Sequence, residues 1–203
     1  MTVVILALLC GIIVGVVVGQ QRKSVLLEQF HAACHELDLV SEPDGWTGRT
    51  HGVQVKAAWA AHWIGRKYGH STSYRAILEP PLDAGLLVYA RVSSLDGGPQ
   101  SVIELWRERD RPLPPRFVSN YAPLDQRVTM FAQHVGKARA ALLPAADTIV
   151  ALVTEHAAEP SFDLRIDDAG VEVHLSPFHH TKEQVKAGLA IAGRLASALR
   201  RAS

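Results

Sequence analysis

From Val3 to Gly19 the chain is apolar and uncharged, and the run closes on Gln20, Gln21, Arg22 and Lys23. An uncharged stretch of this length that stops at a basic pair predicts one membrane-spanning helix. Its twelve large aliphatic residues favour insertion by roughly 4–7 kcal/mol as an upper bound, at about 0.3–0.6 kcal/mol each. A helix over residues 2–19 would be about 27 Å long at ~1.5 Å per residue, slightly short of a ~30 Å hydrocarbon core. Gln20 and Gln21 then fall in the interface. Met1-Thr2 lacks the basic start of a cleaved leader, and Val17-Val18-Gly19 is a poor cleavage site, so the span is expected to stay as an anchor. Arg22 and Lys23 directly follow it, which places the bulk of the chain in the cytoplasm.

Gly11, Gly15 and Gly19 recur every four residues and share one helix face with Ala7. Small residues there let two backbones approach closely, which names helix packing as a second task for the anchor. The partner would be a second copy of this chain or another membrane protein. The plainer alternative is that glycine is simply commoner in membrane helices.

Beyond the anchor the pattern changes to short elements. Ser24 is placed to cap a helix to about Leu39, with Leu26, Leu27, Phe30, Cys34 and Leu37 as its buried stripe. Trp46 to Thr50 and Val53 to Trp63 read as strands joined at His51-Gly52, the second alternating on Val53, Val55, Ala57, Trp59, Ala61 and Trp63. Gly65 to Gly69 reads as a turn, Tyr74 to Glu79 and Gly85 to Val92 as strands, and Asp96 to Pro99 as a turn before a strand over Val102 to Trp106. The prolines of Arg111 to Arg116 make a loop there, a candidate lobe boundary. A short strand at Phe117 to Tyr121 precedes a helix from Leu124 to Leu142. Pro144 breaks it, and a second helix runs from Ala145 to His156. Phe162 to Ile166 and Val171 to Leu175 alternate cleanly around Asp167-Asp168-Ala169-Gly170, as a hairpin does. The final helix opens on a Thr181-x-x-Gln184 capping box and carries the seam Val185, Leu189, Ala192, Ala196 and Leu199, with Ala187, Gly188 and Gly193 as small packing positions.

These elements predict an α+β fold. One N-terminal transmembrane helix with its basic flank (1–23) is followed by a domain (24–203) with a mainly antiparallel sheet packed against helices. The net charge of +1 supplies no field that would draw nucleic acid, so the bilayer is the expected surface partner. Outside the anchor only Cys34 remains, so no internal disulfide argues for an oxidising compartment.

Phosphate-cradling, dinucleotide, zinc-helix and nucleophile-turn motifs are absent from the sequence. Ten histidines raise the question of a metal. The closest cluster is His31, Cys34 and His35, where Cys34 turns into the apolar stripe and away from the two histidines. His179 and His180 are adjacent loop residues without shared ligand geometry. Asp163, Asp167 and Asp168 flank a hairpin, where aspartate is ordinary turn chemistry. No catalytic, cofactor or metal residue is assigned on this basis. The sequence points to a single-pass membrane protein with an interaction or assembly role. The alternatives are a tethered small-ligand-binding module built around the tryptophan strands, or a hydrolase-type enzyme in which His174, His179 or Asp163 converge.

Overall fold

A computed structural model describes residues 21, 23–64, 67–90, 113–156, 162–175 and 178–200, with backbone alone at 60–64 and 67–71. The anchor residues Gly11, Gly15, Gly19 and Arg22 lie outside the described residues, as do the expected turn at 96–99 and strand at 102–106. Among the described residues no helix is long and apolar enough to cross a membrane.

The architecture is α+β. Among the described residues a nine-stranded sheet runs in the order β1-β2-β3-β4-β9-β8-β5-β7-β6, and every described pairing is antiparallel. The strands are β1 (Val40–Glu42), β2 (Gly45–Thr50), β3 (Val53–Ile64), β4 (Lys67–Ile77), β5 (Leu87–Ala90), β6 (Arg116–Phe117), β7 (Val128–Phe131), β8 (Asp163–Asp167) and β9 (Gly170–Leu175). The helices are α1 over 23–36, α2 (Ala122–Arg127), α3 (Val135–Leu142), α4 (Ala146–Glu155) and α5 (Lys182–Arg200). The β8–β9 hairpin joins the meander β1–β4 to the group β5–β7–β6, so one sheet carries strands from both sides of 111–116.

Alternation sorts the sheet into two faces. Val55, Ala57, Tyr74, Ala76, Val171, Val173, Leu164, Ile166, Val88 and Met130 form the buried face. Helix α5 covers this face over β3, β4 and β9. Its predicted seam is buried throughout, and the capping box forms as expected. Gln184 N donates to Thr181 Oγ1 at 3.3 Å and Thr181 N to Gln184 Oε1 at 3.2 Å. Ala187 departs from the expected packing face and is exposed. Gly188 does meet the sheet: a Cβ there would stand 2.2 Å from Tyr74 Cε2.

Three local expectations are corrected. Ser24 does not cap α1, because it lies within the helix and its hydroxyl donates to the Gln21 carbonyl at 2.8 Å. Strand β4 starts at Lys67 rather than Tyr74, so 67–69 are strand and not turn. The backbone of β3 continues to Ile64 and requires a ladder partner, which Lys67 to Ser71 supply. The helix expected from Leu124 to Leu142 is instead α2, β7 and α3. Leu124, Val128, Phe131, Val135, Ala138 and Leu142 are spaced as a helix stripe, but Val128 and Met130 also alternate. Pairing with β5 buries both against the shared core, and that tertiary gain outweighs the local period.

Candidate functional site

The polar phase of β4, β9 and β8 lies on the sheet face away from the helices. Register places Ser73 beside His174 and His174 beside Asp163, and one row further Arg75, Glu172 and Arg165 stand abreast. Glu172 is the hub. Ser73 Oγ donates to its Oε1 at 3.0 Å, His174 Nε2 lies 3.2 Å from the same oxygen, and Arg75 Nη1 is 3.6 Å from Oε2. Asp167 extends the network to Arg165 Nη2 at 3.1 Å and to Arg75 Nη2 at 3.9 Å. Arg165 Nε is buried without a hydrogen-bond partner among the described residues.

The His174 hydrogen bond is the largest influence on Glu172. Together with the His174 charge, the Ser73 hydroxyl and Arg75 it outweighs burial and holds the carboxyl down at about 2. For His174 the largest influence is burial, which opposes its charge. The hydrogen bond and charge of Glu172, with the charge of Asp163, prevail over it and raise the imidazole above its usual range. Such a pair is a stability element with a defined pH window. The His174 contribution is complete below its ordinary value of 6.5 and fades as pH rises through the raised value. The Glu172 contribution is complete above 4.5 and fades as pH falls toward about 2. His174→Gln is therefore expected to lose about 2 kcal/mol between pH 4.5 and 6.5, with the gap to wild type narrowing toward pH 9. Urea unfolding across that range measures it, and a gap that does not change with pH would refute the charged pair.

Three residues considered for hydrolysis do not converge. Asp163 and His174 are register partners on the sheet face opposite α5. His179 lies on the opposite side of the sheet, with its Nδ1 2.8 Å from Tyr74 Oη and its N–H donating to Thr72 Oγ1 at 2.9 Å. Nor does the row Ser73, His174, Asp163 form a nucleophile relay, because the Ser73 hydroxyl is given to Glu172.

No family model, curated protein or solved structure matches this chain.

The other sequence candidates have structural places. Cys34 is buried, and burial pushes its thiol up to about 12, so it is a neutral core group and not a nucleophile. Burial also raises the Tyr74 phenol. His31 accepts a hydrogen bond from Trp46 Nε1 at 2.8 Å, while His35 is exposed. Among the described residues no group of three or more His, Cys, Asp or Glu could hold a metal. Lys23, read as a topology signal, also has a partner in the fold: its Nζ lies 4.5 Å over the Trp59 ring.

Sequence reasoning took Asp168 as ordinary turn chemistry and missed its tertiary role. Its carboxylate accepts the backbone N–H groups of Ala84 at 3.2 Å, Gly85 at 2.7 Å and Leu86 at 3.0 Å, and its carbonyl accepts Leu82 N at 3.0 Å. It is a tertiary clamp that ties the hairpin turn to the chain entering β5. The sequence signal was two adjacent aspartates in one turn. Asp167 alone supplies the expected turn bond, to Ala169 N at 3.0 Å.

Proposed function

We propose that the chain is a single-pass, membrane-anchored interaction or assembly module. Its apolar run lies in the bilayer and its α+β domain lies on the cytoplasmic side. The observation that carries this reading is the junction. Helix α1 contacts the sheet from Lys23 onward, the residue that closes the basic flank of the apolar run. Phe30, Ala33 and Cys34 of α1 are then buried in the core. The domain is thus attached a few residues from the predicted membrane surface, with no long linker between. A module held this way has a fixed orientation to the bilayer, which suits lateral assembly.

Assembly is assigned to the face made by Gly11, Gly15 and Gly19, with a second copy or another membrane protein as partner. Crosslinking in native membranes is expected to trap a dimer or one defined heteromeric product, and Gly15→Leu is expected to reduce that product at least fivefold. Equal yields from both forms would remove the glycine face from the account.

A further inference from the structure

The hydrogen bond that joins His31 of α1 to Trp46 of β2 has side chains whose roles cannot be exchanged. Trp46 Nε1 lies 2.8 Å from His31 Nδ1, with the two rings 5.6 Å apart and tilted by 46°. An indole N–H only donates. His31 Nδ1 must therefore keep its lone pair, which requires a neutral imidazole with its proton on Nε2. An imidazolium has a donor at both nitrogens, so protonation sets N–H against N–H across this gap. The Tyr74–His179 contact differs, because a hydroxyl both donates and accepts.

The bond sits where the hold on α1 changes. After His31, Ala33 and Cys34 are buried, Glu36 Oε2 lies 3.6 Å from Lys182 Nζ, and Leu39 lies against Gly48. Over residues 23–29, Leu26 and Leu27 are half-buried and the other five are exposed. Lys23 over the Trp59 ring is the contact at their far end. Other titratable groups surround the pair. Glu28 and His35 lie one turn to either side of His31 on α1. Asp44, two residues before Trp46, is engaged by Lys56 of β3. His179 follows Phe178, which packs on Phe30, and is held by Tyr74. His31 itself is exposed, so protons reach it from solvent.

We propose that the His31–Trp46 pair is an acid-sensitive latch, which holds the first two turns of α1 to the sheet when His31 is neutral and releases them when it is protonated. Histidine is the side chain suited to this task, since its charge changes between about pH 5 and 8. Once the bond is lost, residues 23–29 keep two half-buried leucines and the Lys23 contact. The segment after His31 stays docked through its buried residues. The latch belongs to the fold and stands without the anchor. Its consequence rests on the anchored reading above, in which α1 joins the span to the domain: acid then loosens the fixed orientation of the domain to the bilayer.

Amide hydrogen exchange of the full chain in detergent tests the latch, read by mass spectrometry over residues 23–31 and corrected for the intrinsic pH dependence of exchange. Between about pH 7.5 and about pH 5, protection of this segment in the wild type is expected to fall by about threefold or more, the worth of one hydrogen bond. His31→Gln offers Trp46 an amide oxygen that does not titrate, and it leaves His174 in place, so its protection is expected to stay level. Trp46→Phe removes the donor and is expected to be poorly protected at both pH values. Equal protection of the wild type at both pH values, or a fall in His31→Gln as large as in the wild type, would overturn the latch. Either of those results leaves the anchored reading standing, because membrane extraction tests that separately.

Discussion

Asp168→Ala is expected to destabilise the domain by about 3 kcal/mol. Three backbone N–H groups, of Ala84, Gly85 and Leu86, lose a charged acceptor together. Hydrogen bonds to an ionised group contribute about 1.5–3 kcal/mol each, and partial access of water to the emptied turn offsets some of the sum. The same segment supports β7, because Gln133 N and His134 N both donate to the Ala84 carbonyl. The loss is therefore expected to spread to the β5–β7 pairing. Asp168→Asn keeps one acceptor oxygen but turns an amide N–H toward backbone donors, so it should recover less than half. Thermal unfolding of the full chain in detergent is expected to show a fall of about 6–12 °C for the alanine variant. A change under 2 °C would mean that the clamp is dispensable.

Gly188→Leu is expected to cost about 3 kcal/mol or more by overpacking. Tyr74 cannot yield cheaply to a side chain at this position, being fully buried and held by its hydroxyl at 2.8 Å from His179 Nδ1. Helix α5 must then lift off β4, which opens the seam at Val185 and Leu189 on either side. Tyr74→Ala alone is expected to lose about 3–5 kcal/mol through the cavity it leaves. The double variant fills that cavity from the helix side, so its loss should fall at least 1 kcal/mol short of the sum of the two single losses. Additive losses in urea unfolding would show that the two positions do not share one space.

What could be read from the sequence was the structure written in local period and local capping. The β8–β9 hairpin alternates on Leu164 and Ile166 and on Val171 and Val173. The α5 start is fixed by two side chains three residues apart. The β2–β3 turn is carried by His51 and Gly52, both with positive φ. β7 was not legible, because its residues satisfy a helical and a strand period equally and only the pairing with β5 decides. Strand order was not legible either, since the insertion of β8–β9 between β4 and β5 is a non-local choice. The site follows the same division. Glu172 and His174 could be seen as the polar phase of their strand. Ser73 and Arg75 become their neighbours only through a register set across about a hundred residues. Asp168 was hidden for the same reason, because its donors lie on a distant segment.

The central claim is that residues 3–19 hold this domain to a bilayer. Alkaline carbonate extraction of membranes carrying the full chain tests it most directly. Wild-type protein is expected in the pellet. Leu9→Arg with Ile13→Arg places two charges near the middle of the span, at about 2.5–3.5 kcal/mol each, enough to offset the insertion energy. That variant is expected in the supernatant. Wild-type protein released by carbonate, or a double variant retained as fully as wild type, would contradict the anchored account.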